Sequence, residues 1–331
     1  MQTQILKLDK NSVDLAKRLL LSGEVVGIPT ETVYGLGAIG TNPDAVKKIF
    51  EVKGRPTDNP LIAHVHKDYD LSKLVNITQG YVYKLKDKFT PGPLTMVFDS
   101  KGVVCREAVC GGSTLAIRIP SHEGVQQLLK EVDQPIVAPS ANISKHVSPV
   151  TAEHVFKDLN GKISLILDGG KSSGGIESTV LDVTGKTPRI LRAGLITKEM
   201  IESVVGCCEY AEHKETDKVR SPGVKYSHYM PNCKTARFTG SELEKVTKLY
   251  DLTVSKGEKV VILCEDKYAS VFNDKKIINL GKTAEEVASN LFYGLRLGEE
   301  QADLIIAIEP SGRGGVYEGV LNRLNKAVKK A

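Results

Sequence analysis

Short apolar runs bounded by glycine or proline alternate with stretches of helical spacing along this chain. Asp14 to Leu20 carries apolar residues three and four apart, and Gly23 stops the pattern. Val25 to Pro29 is too short for a helix and reads as a buried strand that ends in the polar group Thr30-Glu31-Thr32. Asn42-Pro43 opens a helix over Asp44 to Val52. Leu61 to Val65 is a strand, and Tyr81 to Phe89 is a helix broken by Pro91-Gly92-Pro93. Leu94 to Phe98, Leu115 to Ile119 and Ile136 to Ala138 are further strands, with a helix over Glu123 to Glu131. Leu165 to Asp168 and Val180 to Val183 flank a glycine-rich turn. The pattern predicts a mixed α/β domain with polar residues collecting where strands end.

Beyond residue 206 the periodicity lapses. Residues 207 to 235 hold Ser221-Pro222-Gly223, Met230-Pro231-Asn232, Tyr226, His228 and Tyr229. This is a linker, but a basic and aromatic one, where a passive spacer would favour Gly, Ser or Glu. It reads as either a tether or an ordered strap across the first domain. Alternation resumes near Thr235. Strands fall at Lys259 to Cys264, Lys276 to Leu280 and Leu304 to Ile308, with helices near 241–250, 283–298 and 317–330. That order predicts a small parallel sheet with flanking helices and no catalytic constellation of its own.

A length of 331 residues agrees with two domains. Hydrophobic and charged contents of 41% and 26% are ordinary for a globular protein. Met1 to Lys7 has no signal-peptide core and no run reaches a membrane span, so a cytoplasmic protein is expected. The six cysteines (Cys105, Cys110, Cys207, Cys208, Cys233, Cys264) form no C-x-x-C pair. Zinc is not expected, and buried free thiols are; a Cys105–Cys110 disulfide remains open. From His213 to Arg237 six cations face two acids, so this stretch holds +4 of the net +5. The rest is close to neutral, which argues against a general nucleic-acid surface.

Two short segments carry the candidate chemistry. Lys53-Gly54-Arg55 stands close before Asn59, which lies between Pro56 and Pro60, and Ser140-Ala141-Asn142 follows an apolar run. If extended, each would present two polar groups on one face. Lys as a point charge and Arg as a planar fork suit a polyphosphate. A charged loop plus a turn satisfies the same spacing. Other motifs are weaker. Gly281-Lys282-Thr283 lacks the earlier glycine of a P-loop, since Lys276 stands there. Gly170-Lys171-Ser172-Ser173-Gly174 has a strand after it where a nucleophile elbow needs a helix. His64 and His66 share a strand face without a third ligand, and His66 reads as structural. Gly312-Arg313-Gly314-Gly315 is a turn or a helix-N-terminal anion site.

Lys53-x-Arg55 with Ser140-x-Asn142 resembles the signature of the YrdC family, the threonylcarbamoyl-AMP synthases. Pro29 to Leu36, Lys53 to Leu61, Pro91 to Thr95, Ser113 to Pro120, Glu177 to Val180 and Arg192 to Gly194 match in order. The similarity spans roughly residues 5–200. Ser221 to Tyr229 resembles the linker of the long, two-domain form. The resemblance implies a YrdC-like twisted mixed sheet with a concave basic site over 1–206, a linker or lid over 207–235 and a Rossmann-like α/β domain over 236–331.

It also implies an activity: a nucleotidyltransferase making L-threonylcarbamoyladenylate from L-threonine, bicarbonate and ATP, with release of pyrophosphate. The product would pass to a separate tRNA threonylcarbamoyl-transfer complex acting on the adenosine next to the anticodon; tRNA contact is possible and membrane contact is not expected. By the same resemblance Lys53 and Arg55 hold phosphates and offset their developing charge. Asn59, Ser140 and Asn142 position the triphosphate or its Mg²⁺, which is held mainly through the phosphates rather than by a protein metal site. Thr114, Ser148 and Arg192 line the nucleotide, with surface solvation as the other reading for the last two. Thr32, His64, Arg118 and Ser178 hold threonine, Arg118 as the fork for its carboxylate. His228 closes over ATP, so the linker rather than the second domain is expected to complete the site. A noncatalytic tRNA- or rRNA-binding protein and an enzyme acting on another amine are the competing readings. Low aromatic content, 5%, weighs against the first.

Overall fold

The computed structural model describes residues 2–212 and 229–331. The first domain runs β1 (Gln4–Lys7), α1 (Lys10–Leu21), β2 (Val26–Ile28), β3 (Gly35–Ile39), α2 (Pro43–Lys53), β4 (Ile62–His64), β5 (Val75–Asn76), α3 (Tyr81–Phe89), β6 (Leu94–Ser100), β7 (Thr114–Arg118), α4 (Glu123–Val132), β8 (Ile136–Val137), α5 (Ala152–Leu159), β9 (Leu165–Asp168), β10 (Thr179–Asp182), β11 (Arg189–Arg192), α6 (Lys198–Val205) and β12 (Glu209–Tyr210). The second runs β13 (Lys234–Phe238), α7 (Leu243–Ser255), β14 (Val260–Cys264), α8 (Asp266–Ala269), β15 (Ile277–Asn279), α9 (Ala284–Gln301), β16 (Leu304–Ile308) and α10 (Val316–Ala327).

Among the described residues the first domain forms one mixed sheet in the order β1-β9-β2-β3-β8-β4-β7-β6-β10-β11-β12, with β5 on β6. The second is a parallel sheet in the order β13-β16-β14-β15. Helix signals explain the local starts. Asp9 and Ser12 form a reciprocal capping box on α1, at 2.8 and 2.9 Å. Asn42 caps α2 with Pro43 inside its first turn. Helices α1 and α4 lay Val13, Ala16, Leu20, Val125, Leu128 and Leu129 on one face of the sheet. Ala45, Ile49 and Phe50 of α2, Leu85 of α3 and Val155 of α5 belong to a separate, larger core cluster. Each fully buried Leu or Ile contributes about 1.5–3 kcal/mol by leaving water.

The two domains share a core. Val33, Val147, Val150 and Ile176 of the first pack in one cluster with Leu291, Phe292, Val320 and Leu324 of the second. Backbones approach closely there. A Cβ on Gly175 would lie 2.4 Å from the Cα of Ser289, and one on Gly319 3.1 Å from the Cα of Gly194. Only glycine admits such contacts without displacing a helix.

Some expectations change. All six cysteines are free, which removes the Cys105–Cys110 disulfide. Only Cys208 and Cys264 are buried, and Cys207 is exposed. The linker's ends carry strands: β12 extends the first sheet and β13 edges the second. Among the described residues no helix is long and apolar enough to cross a membrane.

Candidate active site

Lys53 is the last residue of α2, and Gly54 caps the helix in the left-handed conformation, at φ 59°. Lys53 and Arg55 therefore meet around a helix end, not along an extended segment as the spacing suggested. The helix C-terminus is a favourable place for a cation. Lys53 is 2% exposed, and its Nζ donates to the carbonyls of Ser140 and Asn142. The Ser144 amide returns a bond to the Lys53 carbonyl at 2.8 Å. The two sequence signatures are thus tied together by one ammonium. An ammonium has three N–H groups, so one is left for a ligand. Burial, then Arg55, lowers the Lys53 pKa well below the ordinary lysine value.

Arg55 donates from Nε and Nη2 to the Asn59 carbonyl, at 3.2 and 3.1 Å. Its pKa falls to about 10 through burial, so it stays charged at neutral pH. Asn59 is buried behind Arg55 and does not line the pocket. Ser140 and Asn142 both line it. Asn142 donates from Nδ2 to the carbonyls of Ile143 and His146, at 2.8 and 2.9 Å, while its buried Oδ1 accepts from nothing.

The strand ends supply the opposite wall. β4 and β7 pair in parallel with His64 opposite Arg118, so both side chains arrive at one level. Arg118 is 5% exposed and donates from Nη1 to Thr32 Oγ1 at 2.6 Å. Its Nη2 lies 2.8 Å from Glu31 Oε2. His64 Nδ1 faces the Ile62 carbonyl at 3.1 Å. A carbonyl only accepts, so Nδ1 carries the proton and Nε2 is the ring's acceptor. Burial, then Arg118, drops the His64 pKa to about 3, so the ring is neutral. Ser178 Oγ lies 2.7 Å from Thr95 Oγ1, and Thr95 pairs with Arg118 across β6 and β7.

Ser148 and Arg192 are buried, at 1% and 7% exposure, which rules out surface solvation for both. Arg192 forks the Ser178 carbonyl from Nε and Nη2, at 3.2 and 3.0 Å. Ser148 donates to Glu177 Oε1 at 2.6 Å, and Arg323 of α10 donates to Glu177 Oε2 at 3.0 Å. Tyr229, where the chain is again described, lines the pocket and packs on Phe292, with ring centroids 5.0 Å apart. Thr32, Lys53, Arg55, His64, Arg118, Ser140, Asn142, Ser148, Ser178 and Arg192 therefore surround one cavity. Thr114 does not. It begins β7 while Arg118 ends it, so the two are four residues apart, about 13 Å along a strand. His228 lies outside the described residues.

Sequence reasoning missed Glu31, Thr95, Glu177, Arg296 and Arg323. The arginines had a signal: each interrupts an apolar helical stripe. Arg296 follows Leu291, Phe292 and Leu295, and Arg323 sits between Val320 and Leu324. Both are essentially unexposed. Other motifs resolve as structure. Ser172 of the Gly170–Gly174 string donates to the Thr30 carbonyl at 2.8 Å. Thr283 caps α9 reciprocally with Glu286, which also receives the Lys282 amide. His66 faces Asp133 at 3.2 Å. Among the described residues no group of three or more His, Cys, Asp or Glu is placed to hold a metal.

Chemically, the cavity offers cations, hydroxyls, an unused amide oxygen and a neutral imidazole, with no nucleophile–base pair among the described residues. That suits alignment of two reactants and charge stabilisation on phosphate. Residues 18–194 match the family model described as "Telomere recombination", and residues 196–328 match the one described as "Threonylcarbamoyl-AMP synthase, C-terminal domain". The chain belongs to the threonylcarbamoyl-AMP synthase family. The Pyrococcus abyssi threonylcarbamoyl-AMP synthase is 38% identical over 330 residues, covering 97% of this chain and 95% of that one. The Bacillus subtilis threonylcarbamoyl-AMP synthase is 42% identical, covering 94% and 91%. The solved structure of Pyrococcus abyssi Sua5 complexed with L-threonine superposes with a TM-score of 0.90 at 37% identity, covering 99% of this chain and 100% of that one. The synthase family thus accounts for both domains here, not the first alone.

Proposed function

We propose that this protein makes L-threonylcarbamoyladenylate from L-threonine, bicarbonate and ATP for threonylcarbamoyl modification of tRNA. One observation carries the reading. Lys53 joins the Lys53–Arg55 turn to the Ser140–Asn142 segment on one wall, and Thr32, His64, Arg118 and Ser178 gather on the other. A polyphosphate grip and an amino-acid grip therefore face each other across one cavity.

The steps follow. Bicarbonate takes up a proton and loses water to give CO2, and the threonine amine adds to its carbon, releasing a proton in turn and giving a carbamate. A carbamate oxygen attacks the α-phosphorus. The bond from that phosphorus to the bridging oxygen breaks, and pyrophosphate leaves with the electron pair. Lys53, through its remaining N–H, and Arg55 offset charge on the phosphates. Arg118 takes the threonine carboxylate, and the neutral His64 accepts from the amine or hydroxyl. Ser148 and Arg192 face the nucleotide. Asn142 Oδ1, buried with no donor, and Ser140 are hard oxygen donors of the kind Mg²⁺ prefers. Bound with the triphosphate, Mg²⁺ supplies charge neutralisation there.

The test is pyrophosphate release from ATP with bicarbonate and L-threonine, beside L-serine and a no-amine control. Threonine-dependent release supports the reading. Release that ignores the amine, or none at all, overturns it.

A further inference from the structure

We infer that Arg323, on α10 of the second domain, is a positioning residue that shapes the nucleotide wall of the active site. The inference rests on the reading of Ser148 and Arg192 given above.

Arg323 is 0% exposed although it carries a permanent charge. Its fork spreads over three places in the first domain. Nε donates to Glu177 Oε2 at 3.0 Å, Nη2 to the Glu177 carbonyl at 3.3 Å, and Nη1 to the Ala193 carbonyl. Glu177 lines the cavity, and its other carboxylate oxygen accepts from Ser148, which lines it too. Ala193 is the neighbour of Arg192. One guanidinium thus fixes the carboxylate that aims Ser148 and the carbonyl that anchors the strand end carrying Arg192. The close seating of Gly319 on Gly194 keeps α10 within reach.

Burying a charge pair is seldom the cheapest route to stability; apolar residues of equal volume often do as well. What the pair adds is direction. A planar fork with three fixed donor directions sets a geometry that an ammonium on a flexible stem cannot. Ser178, on the threonine side, keeps in Thr95 a partner that Arg323 does not touch, at 2.7 Å. Loss of the Arg323 fork should therefore be felt mainly by ATP.

The experiment is calorimetric titration of ATP and, separately, of L-threonine into the full chain. Arg323→Lys retains the charge and most of the volume. Its ATP Kd should rise about ten- to hundredfold, as for lost hydrogen bonds to charged groups, with its threonine Kd within about threefold. Glu177→Gln, nearly isosteric, should also raise the ATP Kd. Ser148→Ala should weaken ATP binding in the wild-type background and add little in the Arg323→Lys background, since both act through one carboxylate. Unchanged ATP binding in both Arg323→Lys and Glu177→Gln overturns the inference. So does equal weakening of both ligands, the pattern of a loosened domain. Should Arg323→Lys fail to fold, Glu177→Gln decides alone. If the wild type binds neither ligand, the proposed function fails first.

Discussion

Nη2 of Arg118 lies 2.8 Å from Oε2 of Glu31, yet neither atom makes a well-directed hydrogen bond. The pair is held by charge. Burial opposes the Glu31 carboxylate, and Arg118 together with the Ser121 and Glu31 backbone N–H groups outweighs it, keeping its pKa below the usual range. An arriving substrate carboxylate would meet a guanidinium edge already facing a carboxylate. The Glu31 carbonyl is tied to the Gly174 amide at 2.7 Å, so only its side chain can yield. Glu31→Gln removes the competing charge and should tighten L-threonine binding about threefold or more, a fraction of the coupling of a near-buried pair. Arg118→Lys should weaken threonine binding much more than ATP binding, because an ammonium cannot reproduce the fork. Calorimetry reads both, and weaker threonine binding by Glu31→Gln would exclude the competition.

Lys53 and Arg55 separate by depth. Removing either should cost about 2–4 kcal/mol of transition-state stabilisation, read as kcat/KM for pyrophosphate release. Their effects on folding should differ. Lys53 is buried and satisfies two carbonyls, so Lys53→Ala should also lower stability by about 1–3 kcal/mol in urea unfolding. Burial gives Lys53 a share in the fold beside the role its motif implies. Arg55 is half-buried on a loop, and Arg55→Ala should lose activity with less than half that stability change. Wild-type turnover by Arg55→Ala would sink the phosphate grip.

These contrasts show what the sequence could reveal. The continuous apolar run of Val260–Cys264 was readable because propensity and burial agree there, and Tyr81–Phe89 because its helical spacing buries Val82 and Leu85. β3 was not, since Gly35 and Gly37 dilute the strand signal that tertiary packing on Ile136 and Ala138 restores. β1 is a largely exposed edge of only four residues, too short to show a period. The site was legible as a set of ordered motifs, and most of that set lines one cavity. Thr114 and Arg118 share a motif yet stand at opposite ends of β7, because a motif lists neighbours in sequence whereas a strand carries its two ends to different places. Arg296 and Arg323 were hidden because their partners, Asp158 and Glu177, lie more than a hundred residues away.

His64 should make the protein acid-sensitive in a defined window. Its folded pKa, about 3, lies below its ordinary value of 6.5. Between these values the unfolded chain binds the proton and the folded one does not. Stability therefore falls as pH drops from about 6.5 toward 3, by at most about 1.4 kcal/mol per pH unit for one group. His154, also lowered to about 3 by burial, adds to the same slope. His64→Gln should flatten the dependence of urea-unfolding free energy on pH between 4 and 6.5, whatever its effect at pH 7. An unchanged slope would mean that His64 is protonated in the folded state.

The second interdomain clamp gives an opposite pH response. Arg296 of α9 holds Asp158 of α5 bidentately, at 2.7 and 2.9 Å, and both are buried. His146 joins the same carboxylate from Nδ1 at 3.0 Å and reaches Glu299 of α9 from Nε2 at 2.9 Å. Asp158→Ala leaves Arg296 buried and unpaired, and should cost about 3–5 kcal/mol. Burial works against a charged His146, but its bonds to Asp158 and Glu299 raise its pKa above 6.5 overall. Its stabilisation is complete below 6.5 and is lost as pH rises through the folded value. Asp158 is shifted the other way: burial raises it, His146 and Arg296 lower it further, and its share is lost only in acid, below the ordinary 3.8. Between pH 6.5 and 9 the wild type should therefore lose stability in a way that His146→Asn does not. Urea unfolding of both chains at half-unit steps measures this. Parallel curves would show that His146 bridges the domains as a neutral ring, with Arg296 alone carrying the charge of the clamp.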